Sequence, residues 1–152
     1  MGTASTITSS RTSNAPRDCA VIRAAAVGAV AATAVNVTLW GIGRAAGASF
    51  VVDPGLGEPN LEVGVVKVIF TTLVPFAVGA AMLALVARRS RRWIVMVAIA
   101  ASAFAVMTAA GPLYGGHDNA TGTLLAAMHM TTGAAFVVVA TRAAGERRRQ
   151  GR

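Results

Sequence analysis

The chain is poor in the side chains that soluble catalysts use. Cys19 is the only cysteine, so an intramolecular disulfide and a multi-cysteine metal site are both excluded. Beyond that there are two histidines, His117 and His129, six carboxylates and one lysine, Lys67. No carboxylate lies within an apolar run. Neither a Gly-rich phosphate loop, a His-Glu metalloprotease signature nor a Gly-x-Ser-x-Gly elbow occurs. These absences leave no catalytic residue to name, and the chain reads as a non-enzyme without a cofactor or a resident metal. Aromatic residues are also scarce, at 5%. The formal net charge of +8 would suit nucleic acid, but the arginines fall at the edges of apolar segments with no aromatics between them. A bilayer with anionic headgroups is the better partner for such charge, and no nucleic acid is expected.

What the chain does have is apolar length. Hydrophobic residues make up 55% of its 152 positions, too many for an ordinary soluble domain of this size. Four runs, about 24–43, 63–87, 93–112 and 121–141, each approach the roughly 20 residues that cross a hydrocarbon core of about 30 Å. The expected fold is all-α: an integral membrane four-helix bundle of two hairpins, occupying residues 21–142. Residues 1–20, rich in Ser and Thr, bury too little to offset ordering entropy and read as a disordered tail. Residues 143–152 form a basic C-terminal tail. Between the first two spans, Asp53-Pro54-Gly55 and Glu58-Pro59-Asn60 are turn signals. Asn60 is placed to cap the second helix, with Glu62 in its first turn.

Orientation follows from the distribution of positive charge, because Arg and Lys flanking a span resist translocation. Arg11, Arg17 and Arg23 precede the first span; Arg88, Arg89, Arg91 and Arg92 lie in the central loop; Arg142, Arg147, Arg148, Arg149 and Arg152 follow the last. These twelve fall on one side if there are four spans. The other side holds only Arg44 and Lys67 among acidic residues. Both termini are therefore expected in the cytoplasm of a bacterium, with the four central arginines setting topology in the plasma membrane.

Polar residues inside the spans mark where function would show, since an unpaired polar group in hydrocarbon costs several kcal/mol. Counted inward from the outer ends, Asn36, Thr71 and His129 each lie about seven residues deep, about 10 Å at 1.5 Å per residue. They are the candidate intramembrane polar layer. Pro75 has no N–H to give the carbonyl of Thr71, so a helix kink and a free acceptor are expected at that depth. Asn36, Trp40 and Arg44 form one helical stripe; Lys67, Thr71, Pro75 and Gly79 another; Gly122, Ala126, His129, Gly133 and Phe136 a third, whose small residues permit close helix approach. Arg44 and Lys67 are candidate charges for an outer, anion-binding mouth. His129 lies between Met128 and Met130, types that ligate haem or copper, but helical neighbours diverge by about 100° and the triplet closes no site alone.

The Thr-rich entry and Met128-His129 pair of the fourth span, Asn36 to Trp40 followed by Arg44-Ala45-Ala46-Gly47, and Thr71-x-x-x-Pro75 resemble a family of small actinobacterial four-span membrane proteins, catalogued as a domain of unknown function. The resemblance covers roughly residues 20–141 and implies a four-helix fold in the plasma membrane, with no activity or catalytic residue. The expected role is structural, accessory or sensing. An oligomeric unit that moves a small solute or protons through the polar layer is the alternative, and a haem- or metal-binding redox protein the third. A second copy of the chain or another membrane protein is the partner these roles call for.

Overall fold

The computed structural model describes residues 15–150 apart from 56, 58 and 88, with side chains described from residue 21 to 145. The expected tail over residues 1–14, Arg88 and Glu58 therefore lie outside the described residues. Four helices form: α1 (Ala15–Ala45), α2 (Val65–Ala87), α3 (Arg91–Gly115) and α4 (Asn119–Gln150), with short strands β1 (Val51–Val52) and β2 (Leu61–Glu62) between α1 and α2. Each helix contains a segment long and apolar enough to cross a bilayer: Val21–Ala45, Val65–Ala87, Arg91–Gly115 and Asn119–Gly145. Within an apolar stretch of 18 residues in each, no more than a third are buried inside the protein. Many large apolar side chains, such as Leu85, Ile99 and Met107, face outward, which is favourable only if the surroundings are hydrocarbon. The chain is a multi-pass, all-α membrane bundle.

Three helices outrun the expected spans. α1 starts at Ala15, and α4 continues through the arginine-rich segment to Gln150; once a spanning segment has nucleated a helix, each further residue adds a hydrogen bond at little cost. α3 likewise continues past Pro112 to Gly115.

Around the bundle, α1 packs against α2 and α4, and α3 packs chiefly on α4, while α2 touches α3 and α4 least. The ring is thus tight on three sides and loose between α2 and α3. Its core has two parts. One, toward the α2–α3 turn, gathers Phe76, Leu83, Ile94, Phe136 and Ala140; the other, toward the loop that carries the strands, gathers Phe50, Val63, Val68, Leu125 and Met128. At their junction Phe76 meets Phe136 edge to face, with ring centroids 5.7 Å apart. The Phe136 ring lies against Gly79, where a Cβ would come within 2.7 Å of it. The expected small-residue stripe on α4 does bring helices close: a Cβ on Gly133 would lie 2.6 Å from that of Ala105 on α3.

The long connection after α1 is a folded cap. β1 and β2 pair antiparallel, Val51 opposite Glu62 and Val52 opposite Leu61. β1 is also held on its far side by the α3–α4 turn, since Asp53 N–H donates to the Gly115 carbonyl at 2.8 Å and His117 N–H to the Val51 carbonyl at 3.0 Å. Asn60 does not cap α2. Its φ of 58° is a left-handed turn conformation, unlike the extended backbone of an N-cap. Its N–H donates to Asp53 Oδ1 at 2.7 Å, and Glu62 belongs to β2, so α2 begins only at Val65.

Candidate functional site

Asn36 is the hub of the membrane region. It is 1% exposed, and its Nδ2 lies 2.9 Å from Thr72 Oγ1 on α2, 3.0 Å from Thr132 Oγ1 on α4 and 3.3 Å from the Met128 carbonyl on α4. The amide's orientation follows from its partners. The Thr72 hydroxyl gives its proton to the Val68 carbonyl and the Thr132 hydroxyl gives its own to the Met128 carbonyl, both within their own helices. All three groups facing Asn36 are therefore acceptors, and the side that meets them must be the NH2. One side chain thus ties α1 to α2 and α4. Asn36 Oδ1 is left buried with no hydrogen-bond partner among the described residues.

Asn36 lies on the wall of a cavity of about 500 Å³ bounded by α2, α3 and α4, within the size range of small-molecule sites. Its walls are mostly apolar, with Phe76, Gly79 and Phe136 on the side toward the α2–α3 turn. At the rim, Phe70, Val74 and Phe104 are each more than half exposed. The cavity therefore borders the loose α2–α3 side, where the bundle faces hydrocarbon.

The expected layer of Asn36, Thr71 and His129 forms only in part. All three border the cavity, but neither Thr71 nor His129 bonds to Asn36. Thr71 Oγ1 donates to the Lys67 carbonyl of its own helix at 2.8 Å; the residue that reaches Asn36 is its neighbour Thr72. Successive helical residues diverge by about 100°, and α2 turns the stripe Val68, Thr72, Phe76 and Leu83 inward. That stripe, more bulky and apolar than the one through Thr71 and Pro75, was the signal for Thr72; Thr132 carried no comparable signal. Pro75 lies inside α2 and borders the cavity. His129 Nδ1 is 2.8 Å from the Leu125 carbonyl. A carbonyl only accepts, so Nδ1 carries a proton. Nε2 has no hydrogen-bond partner among the described residues.

The candidate outer-mouth charges instead fasten the cap. Arg44 donates to the Ser49 carbonyl at 3.0 Å, lies 3.8 Å from Glu62 and stacks 6.0 Å from the Trp40 ring centroid. Lys67 donates to the Glu62 carbonyl at 3.0 Å. Trp40 Nε1–H donates to the Val63 carbonyl at 2.9 Å.

Asp118, unremarked among the acidic loop residues, is the centre of this cap. It precedes α4, and its carboxylate accepts from Thr121 N–H and hydroxyl at 2.7 Å each and from Ser49 N–H and hydroxyl at 3.1 and 2.6 Å. Those donors, the Ser49 hydroxyl foremost, hold its pKa well below the usual carboxylate range. The sequence signal was available: an Asp immediately before an apolar run, with Thr three positions on, is an N-cap pattern. Thr121 Oγ1 in turn accepts the N–H of Phe50 at 2.9 Å, a buried residue with φ of 53°. Asp53 accepts from Asn60 N–H and pairs with His117 at 3.0 Å; both contacts lower its pKa, the Asn60 bond most. His117 is thus engaged in the cap while His129 borders the membrane cavity, so the two histidines do not share a site. Among the described residues no three His, Cys, Asp or Glu side chains converge as a metal would require. Of the arginines expected to set topology, Arg89, Arg91 and Arg92 are exposed at the α2–α3 turn.

No curated protein and no solved structure matches the chain. One family model does, over residues 16–146, which take in all four spans and the cap. The chain belongs to that family, described as a family of unknown function, DUF6069.

Proposed function

We propose that this chain is a non-catalytic sensing or accessory protein of a bacterial plasma membrane, both termini in the cytoplasm, that works by holding a small molecule drawn from the bilayer. The observation that carries the reading is the cavity beside Asn36, whose buried Oδ1 has no partner. A buried polar atom without a partner costs about 1–3 kcal/mol, and a bundle serving only as scaffold gains nothing by keeping one. The twelve basic residues on the cytoplasmic side of this arrangement support its orientation. Transport is less well supported, because the cavity ends on the Phe76–Phe136 pair, with Leu83 and Ile94 buried beyond it.

Native mass spectrometry of protein released from the membrane tests the reading. Ala101 on the cavity wall is the position to fill. Wild type should carry one equivalent of a small apolar molecule, and Ala101→Phe should carry none. Equal occupancy of the two proteins, or none in either, would overturn it.

A further inference from the structure

The cavity and its capped end differ in charge. No Asp, Glu, Lys or Arg borders the cavity, so a charged group inside it would lose its hydration without finding a partner. At the capped end a cation is available. Lys67 lies one helical turn above Thr71, which borders the cavity, and its Nζ donates at 3.0 Å to the carbonyl of Glu62, the neighbour of Val63, which borders it too. The half-buried ammonium therefore stands over that end of the space, with one of its three protons on the carbonyl. Among the described residues the carboxylates of the cap have other partners: Glu62 lies 3.8 Å from Arg44, Asp53 pairs with His117, and Asp118 accepts from Ser49 and Thr121. The cavity is also long and narrow. Its wall runs from Val68 to Gly79 on α2 and from Leu125 to Phe136 on α4, eleven positions in each case, or about 16 Å at 1.5 Å per residue. A volume of about 500 Å³ over that length leaves a mean cross-section of about 30 Å², room for one alkyl chain and not for two side by side. The edge-to-face pair of Phe76 and Phe136 closes the far end.

From this we infer the ligand class: a single-chain carboxylate, a fatty-acid anion whose chain lies along α2 and whose head accepts from Lys67 Nζ. The chain enters from the bilayer between α2 and α3, past Phe70, Val74 and Phe104 at the exposed rim. Lipid tails are as apolar as the cavity wall, so the chain gains little by changing one for the other. Selectivity comes from the head, which meets a cation at the one end where charge is tolerated, and from the length of the space. Lys67 and Gly79 are twelve positions apart, about 18 Å. An extended chain advances about 1.3 Å per carbon, given C–C bonds of about 1.5 Å, so about 14 carbons fill the space from the ammonium to the aromatic floor. A longer chain must bend out through the gap between α2 and α3.

The inference rests on the cavity being a binding site, and the test separates the two claims. The full-length protein in phosphatidylcholine nanodiscs is titrated with tetradecanoate or with its methyl ester at pH 9, where a carboxyl head is ionised. The two probes share a chain and differ in charge, and thermal unfolding is followed against the mole fraction of probe in the bilayer. The carboxylate should bind about fivefold more tightly than the ester, the ratio a half-buried ion pair supplies. Lys67→Gln should bring the two probes to equal affinity. Ala101→Phe should abolish binding of both, and Thr71→Phe, at an exposed position on the wall, should do the same if Ala101→Phe fails to fold. Equal binding of carboxylate and ester to wild type, lost in the filled variants, would overturn the ligand class and leave the cavity reading standing. Binding of neither to wild type, or of both to the filled variants as to wild type, would overturn both. A carboxylate preference that survives in Lys67→Gln would overturn the assignment of Lys67 as the head's partner.

Discussion

Removing Asn36 should cost far less than a buried three-helix hub suggests, whereas removing its partners one at a time should cost more. Asn36→Leu deletes the bonds to Thr72, Thr132 and the Met128 carbonyl. Interhelical hydrogen bonds in membranes average about 0.6 kcal/mol and reach about 1.7, so the loss is about 1–2 kcal/mol. The same change deletes Oδ1, whose burial without a partner costs about 1–3 kcal/mol, and leucine keeps the branched shape in the packed position. The net change should lie within about 1 kcal/mol of zero. Thr72→Val, by contrast, removes the shortest of the three contacts made by the Asn36 NH2, the one that ties α1 to α2, and should destabilise by up to about 1 kcal/mol. In the Asn36→Leu background that cost should vanish, because a valine then faces a leucine. The double-mutant cycle should therefore show a coupling of about 1 kcal/mol. Unfolding by SDS in mixed micelles, followed by the fluorescence of Trp40 and Trp93, gives the four free energies. Additive changes, or a cost above about 2 kcal/mol for Asn36→Leu, would refute the assignment of amide orientation and of the unpaired oxygen.

The cap should be acid-labile. Asp118 and Asp53 both have folded pKa values below the ordinary 3.8, so their contribution is complete above that value and is lost as pH falls through the lowered folded values. Protection of the Ser49 and Thr121 amides in hydrogen exchange should hold at pH 5 and decline only below about pH 4; Asp118→Asn should remove that dependence, and protection already lost at pH 5 would refute the assignment to the carboxylate. At the aromatic junction, Gly79→Ala puts a methyl 2.7 Å from the Phe136 ring and should destabilise by about 1–3 kcal/mol. The double variant with Phe136→Leu should recover part of that loss in the same SDS titration; a neutral Gly79→Ala would mean that the ring moves aside without cost.

The sequence by itself determined the class, the number of spans and the short central turn, because hydropathy over about 20 residues responds to the bilayer and not to neighbouring helices. It also placed Asn36 in the interior, since a lone amide deep in an apolar run has few stable alternatives to facing a partner. The tertiary structure decided which partner. Thr71 and Thr72 are equivalent in depth and chemistry, and only the rotation of α2, set by the packing of Val68, Phe76 and Leu83, turns Thr72 onto Asn36 and leaves Thr71 toward the rim. It decided the loop as well. Arg44, Lys67, Ser49, Asp118 and Thr121 are far apart in sequence, and they become one hydrogen-bonded cap only when the ends of α1, α2 and α4 are brought together. The cavity is a product of arrangement alone: α3 gives most of its contact to α4, and the looseness left between α2 and α3 is a property of the packed whole that no periodicity within one helix contains.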